Sequence, residues 1–248
     1  MTLRDIWGTP LSPDNMSTIW DGLQCTLVLS LEAIALATVL GFLLCMARLS
    51  SFAWVRGLAA GWLAIFRNTP LLVQLLFWYF GFPSLLPESL RNALMIPTEW
   101  NALGTVWESP SWEFVSSLVG LTLYTAAYIA EECRAGVATV SKGQWRAAQA
   151  LGMSPMQTWR CVILPQALRT MISPLMGQYM NVVKNSSLAM AVGCAELMYS
   201  ASSINDATQK TFQVFAIATA LYIAIVLIFE LINILLSACV KPLHGQRN

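Results

Sequence analysis

Apolar residues fall in long blocks along this chain, each near the roughly 20 residues that a helix needs to cross a hydrocarbon core, with short polar stretches between them. The first block, 23–47, follows the turn-like Trp20-Asp21-Gly22 and stops at Arg48. Stretches 57–66 and 71–82 are each too short to cross, and Arg67-Asn68-Thr69-Pro70 separates them. Joined, they reach about 39 Å at 1.5 Å per residue, which predicts one crossing element over 57–82, kinked or restarted at Pro70. Residues 83–112 hold four prolines and several acids and read as a loop with an amphipathic piece near 86–95. Further blocks predict membrane helices over 112–137, 174–191 and 212–240, with a polar segment at 138–168 and a small polar loop around Asn205 and Asp206. The chain is thus expected to be an all-α integral membrane protein: one transmembrane domain over 1–248 with about five transmembrane helices. A spanning barrel would show alternation over about 10 residues, and the sequence has none.

Composition sharpens this picture. Hydrophobic residues make up 56% of the 248 and charged ones only 11%, less than half the roughly 25% usual for soluble domains. The net charge of +1 points to no nucleic-acid partner, so the placement of basic residues carries the information. Arg48 and Arg56 follow the first block, Arg134, Lys142, Arg146, Arg160 and Arg169 cluster around the long polar segment, and Lys241 and Arg247 lie in the tail. Those nine of the fourteen basic residues fall on one side; Arg4, Arg91 and Lys210 fall on the other, and Arg67 and Lys184 sit within apolar stretches. By the positive-inside rule the N-terminus is outside and the C-terminus cytosolic, as an odd number of crossings requires. Residues 1–16 lack the cationic and apolar regions of a removable signal peptide. Cys25, Cys45, Cys133, Cys161, Cys194 and Cys239 lack metal or redox spacing and read as reduced packing residues. There is no GxxxxGK[ST] loop, no HExxH and no Cys/His cluster, so no nucleotide or metal site is expected in this chain.

The polar segment has a design of its own. Ala147, Ala148 and Ala150 give a helix a thin face that another backbone can approach, and Gly152 suits a turn of positive φ. Ser154 then suits an N-cap and Pro155 the first position of a second short helix over 155–162, with Pro165 stopping it. The product is a cytosolic helix-turn-helix knob over 144–165; an amphipathic hairpin lying on the lipid is the other reading. The string resembles the EAA loop of ATP-binding-cassette (ABC) importer permeases: Glu-Ala-Ala, three residues, Gly, nine residues, Ile, one residue, Leu-Pro. Ala147, Ala148, Gly152, Leu164 and Pro165 match, while Arg146 replaces the Glu and Val162 the Ile. Asp21-Gly22-Leu23 with Thr26-Leu27 and Leu29-Ser30 resemble the polar amino-acid branch of that family, as do Phe66-Arg67-Asn68-Thr69-Pro70-Leu71-Leu72-Val73-Gln74, Ala127-Tyr128-Ile129-Ala130-Glu131 and Lys184-Asn185-Ser186-Ser187-Leu188. The resemblance covers about 21–200 and implies a type I importer fold. Two permease subunits, commonly different chains, form its pathway. Two ATPase subunits below bind ATP and Mg, and an amino-acid-binding protein sits above, at the bacterial inner membrane. In that reading the chain itself catalyses nothing, and Arg146, Ala147, Ala148, Gly152, Leu164 and Pro165 couple it to the ATPase. The rival is a secondary amino-acid transporter or channel that needs no ATPase; the lack of an internal repeat weakens it.

Polar residues at membrane depth suggest the substrate path. An unpaired lysine there costs at least about 2.5 to 3.5 kcal/mol on insertion scales, so Lys184 needs a reason. It either attracts a substrate carboxylate, with Asn185, Ser186 and Ser187 offering hydrogen bonds, or snorkels or pairs with an acid such as Glu131. The family often has Lys-Asp-Thr-Ser here; Lys-Asn-Ser resembles the glutamate and aspartate permeases and implies an acidic or acid-amide amino acid. Tyr124, Thr125 and Tyr128 line the same cavity or pack between helices. Arg67 satisfies carbonyls freed at the break or marks the membrane boundary. Glu32 and Glu230 pair across an interface or serve function. His244 is expected to be solvated.

Overall fold

Ser12 and Pro13 start the first helix ten residues before the apolar block: Ser12 Oγ accepts a hydrogen bond from Asn15 N at 3.3 Å and Pro13 takes the first helical position. The computed structural model describes residues 11–96, 99–102 and 105–240. Arg4, the rest of 1–10, Lys241, His244, Arg247 and the side chain of Cys239 lie outside the described residues.

Helix α1 runs Pro13–Arg48, roughly 54 Å at 1.5 Å per residue and so longer than the hydrocarbon core. α2 (Ala53–Asn68) and α3 (Leu71–Leu76) follow, and α3 continues through a π-helical turn, Phe77–Gly81, to Phe82–Ser84. The predicted break at Pro70 is sharp: α2 and α3 meet at 103°. Pro70 lacks an N–H and forces the preceding residue to extend, and Thr69 lies at φ −106°, ψ 136°. The carbonyls freed at this corner are met by Gln74, whose Nε2 lies 2.9 Å from Phe66 O and 3.1 Å from Thr69 O. Of the two roles expected for Arg67, satisfying these carbonyls is filled by Gln74 instead. Pro83 likewise leaves Tyr79 O without its helical donor, and the Trp112 indole donates to it at 3.2 Å.

The predicted loop 83–112 holds more structure than expected: helix α4 (Glu88–Met95) and an antiparallel hairpin of β1 (Glu99–Ala102) and β2 (Thr105–Glu108), with Glu99 opposite Glu108. Next come α5 (Trp112–Ala138), α6 (Lys142–Ala150), the single turn α7 (Pro155–Thr158) and a π turn, Trp159–Ile163. α8 (Leu164–Asn185) ends in a 3-10 turn, Ser186–Val192. α9 (Leu197–Thr208) occupies the predicted polar loop around Asn205 and Asp206, and α10 (Thr211–Val240) closes the described chain.

Among the described residues α1, α5 and α10 are each long and apolar enough to cross a membrane, and the α2–α3 pair makes a fourth span if counted as one. α8 covers most of the predicted 174–191 span and is about 33 Å long, yet its polar residues leave it outside that set. The core lies where α1 and α5 approach: a Cβ on Gly41 would stand 2.6 Å from Ile129 Cγ2, so only glycine admits this contact. Thr38 and Tyr179 join α1 to α8 at 2.9 Å, and Gln178 donates to Glu132 from α8 to α5. In the most apolar stretch of α5, 56% of residues are buried within the chain, against 11% for α10. The outer face of α10, with Ile223, Leu227 and Leu231 exposed, therefore meets lipid or another subunit.

Candidate coupling knob and polar sites in the membrane

Local signals build the knob. Gly152 takes φ +76° after α6, the left-handed turn a glycine permits at no steric cost. Ser154 then caps α7 reciprocally: its Oγ accepts from Gln157 N at 3.3 Å while Gln157 Oε1 accepts from Ser154 N at 2.8 Å, with Pro155 in the first turn. Trp145 and Trp159, 6.1 Å apart, hold α6 against the following turn. Of the residues matching the loop pattern, Ala147, Gly152 and Pro165 are exposed, Leu164 is half-buried, and Ala148 is only 3% exposed, packed inside the knob; Arg146, which departs from the pattern, is exposed. Leu151 and Met156 are 82% and 72% exposed at the tip, an apolar pair left largely uncovered by the described residues. One expectation is corrected. Pro165 does not end the second helix: the chain continues through the π turn into α8, with Pro165 in the first turn of α8, where a missing N–H costs nothing. The whole stretch between Glu132 and Glu196 holds no acid, so Lys142, Arg146 and Arg160 leave the knob purely cationic.

Lys184 lies near the C-terminal end of α8 with its side chain exposed, and no ion pair involves it among the described residues. Glu131, considered as its partner, is engaged elsewhere: Arg134 Nη2 and Nε reach Oε2 at 2.8 and 3.0 Å, and Arg67 Nη1 stands 3.8 Å from Oε1. Asn185 is half-buried. The two serines spend their hydroxyls locally: Ser186, fully buried, donates to Val183 O at 2.8 Å, and Ser187 donates to Lys184 O at 2.7 Å. Tyr124 donates to the Tyr128 hydroxyl at 3.3 Å, which donates to Arg67 O at 3.4 Å, and the Arg67 guanidinium lies 5.6 Å from the Tyr128 ring centre. Thr125 is 3% exposed, turned into the bundle. The structure thus brings Tyr124, Tyr128, Arg67 and Glu131 together, while no hydrogen bond or ion pair ties Lys184 and Asn185 to that group. Glu32 is exposed on α1, and Glu230, on α10, accepts from Asn233 at 3.5 Å.

A buried carboxylate that sequence reasoning did not single out organises the other end of the bundle. Glu196, fully buried, accepts from Tyr222 OH at 2.6 Å, from Thr26 Oγ1 at 3.4 Å and from Tyr199 N at 2.8 Å, and so caps α9 while joining α1 and α10. Thr26 Oγ1 also accepts from Leu197 N at 3.0 Å. The signal was present as an acid one residue before an apolar run, but its partners lie 170 and 26 residues away. Gly22 lies against Ser200, the same α1–α9 contact that the node closes.

Comparison with known proteins agrees with this architecture. The family described as "Binding-protein-dependent transport system inner membrane component" matches residues 34–241. The chain is 32% identical over 207 residues to the glutamate/aspartate import permease protein GltJ of Escherichia coli (strain K12), covering 84% of this chain and 80% of that one. It is 34% identical over 212 residues to the probable glutamine ABC transporter permease protein GlnM of Bacillus subtilis (strain 168), covering 86% and 88%. Among solved structures, a chain of an amino acid ABC transporter crystallised with histidines superposes with a TM-score of 0.76 at 27% identity, covering 93% of this chain and 99% of that one.

Proposed function

The chain belongs to the binding-protein-dependent transport system inner membrane components, as an amino-acid ABC importer permease of type I fold, and from that premise we propose that its substrate is an acidic amino acid or an acid amide. The observation that carries this reading is Lys184, an exposed ammonium near the end of α8 with no ion pair among the described residues, beside Asn185 where a carboxylate would repel an anion. A substrate carboxylate compensates such a charge. Two relatives, a glutamate/aspartate import permease protein and a probable glutamine permease protein, are consistent with it. Ser186 and Ser187 support this end of α8 rather than contact the substrate, and Tyr124 and Tyr128 line the path further along α5.

In this reading the protein is a non-catalytic subunit: a pair of ATPase chains binds and hydrolyses ATP with Mg, and a second permease subunit, a different chain, completes the path. A binding protein outside the inner membrane delivers the amino acid. The N-terminus is outside, the C-terminus is cytosolic, and five elements cross. The knob seats in the ATPase with Leu151, Met156 and Ala147 against apolar surface, and its cations face acidic groups there, so Arg146 replaces the family's Glu with the opposite polarity. Closure of the ATPase pair then moves α8, which continues from the knob without a break in helical structure.

Uptake by the assembled importer in proteoliposomes tests the substrate. Lys184→Ala is expected to lower glutamate or aspartate uptake about tenfold, the value of one charge-assisted contact, and Asn185→Asp to weaken anionic substrates more than neutral ones. Unchanged uptake of both acids in both variants removes the proposal.

A further inference from the structure

A cavity of 220 Å³ opens between the C-terminal end of α1, α2 and the inner part of α5, floored by Leu63 and lined by Arg48, Arg67, Asn68 and Glu131. Its charge does not balance. Three guanidiniums, those of Arg48, Arg67 and Arg134, surround or adjoin one carboxylate, and Arg134 already holds Oε2 of Glu131 with two hydrogen bonds. Arg67 stands at the looser 3.8 Å from Oε1. Arg48 has no ion pair among the described residues, and its Nε is buried without a hydrogen-bond partner. A buried donor on a charged group left in this way costs free energy that a bound acceptor recovers.

We propose that this cavity is an anion site, in which Arg48 and Arg67 hold a phosphate or carboxylate group and Asn68 offers a further donor. The guanidinium fork suits the two or three oxygens of such a group. Glu131, which lines the same cavity, is neutralised by Arg134 and leaves Arg67 free to turn to the ligand. Two sources supply the same chemistry. One is the headgroup of an anionic lipid: Trp54, Leu58 and Ile65, 62–68% exposed on another face of α2, give the helix that lines the cavity an apolar surface suited to lipid. The other is a soluble anion from the cytosol. The site belongs to this chain alone and does not depend on which amino acid is carried or on how the knob docks.

The test uses the purified, delipidated importer complex with three probes at matched ionic strength: inorganic phosphate, glutamate and micelle-forming dihexanoyl phosphatidylglycerol, with chloride as the reference. At least one probe is expected to raise the Tm of the wild-type complex above chloride, with an apparent Kd about tenfold weaker in Arg48→Gln and partly restored in Arg48→Lys. A response to the lipid probe alone assigns the site to a headgroup; a response to phosphate or glutamate assigns it to a soluble anion. The idea fails if no probe exceeds chloride, or if Arg48→Gln responds as the wild type does. Native mass spectrometry of the same two complexes checks the lipid arm without a melting transition, since retained phosphatidylglycerol is expected to fall in Arg48→Gln.

Discussion

The knob and the Glu196 node are both polar solutions to joining helices, and they are built in opposite ways. The knob is held by contacts a few residues apart: the Ser154–Gln157 capping box, the Gly152 turn and the Trp145–Trp159 pair. Its cations and its apolar tip are exposed, free to meet another chain. The node is held by contacts across the fold, with Glu196 bridging Thr26 of α1 and Tyr222 of α10 from a fully buried position. An exposed surface built from local contacts is expected to tolerate a change of chemistry without unfolding; a buried node is not, because removing Glu196 leaves buried donors such as the Tyr222 hydroxyl without their carboxylate acceptor. The knob is therefore expected to govern coupling and the node stability.

The largest effect expected is at the node. Glu196→Ala strands the Tyr222 hydroxyl and the Tyr199 amide and uncaps α9, and should cost about 3 kcal/mol, read as a fall in Tm and yield of the complex in detergent. An unchanged Tm would reduce the node to a passive contact. Next, Ala147→Trp adds bulk on an exposed knob position and should leave Tm within error while lowering substrate-stimulated ATP hydrolysis at least tenfold, about 1.4 kcal/mol in coupling; normal stimulation would break the comparison from the other side. Tyr222→Phe removes one hydroxyl from the node while keeping its ring, so a loss of about 1 kcal/mol, with the ATPase response per folded complex unaltered, would separate the two regions cleanly. The smallest effect is that of Ser154→Ala, which removes one cap and should cost about 0.5–1 kcal/mol, confined to the knob. Hydrogen exchange should show faster exchange at Gln157 and none of the change at Leu197 or Tyr199.

Elements with local causes were legible before any coordinates. The apolar blocks located α1, α5 and α10, Pro70 located the break between α2 and α3, and Gly152, Ser154 and Pro155 located the turn and cap of the knob. Where the reading fell short, a tertiary cause had replaced a local one. α9 runs through Ser202-Ser203-Ile204-Asn205-Asp206, a string with loop composition, because its buried face, Leu197, Ala201 and Ile204, packs against α1 and α10. Pro165 read as a stop, yet the π turn ahead of it widens the ladder and lets the chain pass into α8. At the break, the residue nearest in sequence, Arg67, was expected to satisfy the carbonyls, and Gln74, one turn beyond, does so.

By itself, the order of residues determined that this protein lives in a membrane and where a projecting knob begins, since length and capping act over a turn or two of chain. The tertiary structure alone decided that Glu131 meets Arg67 rather than Lys184, that Ser186 is buried, and that Glu196 meets Thr26 and Tyr222. Those pairings join residues as many as 170 positions apart. They are selected by which helices pack together, and no periodicity along the chain encodes that choice.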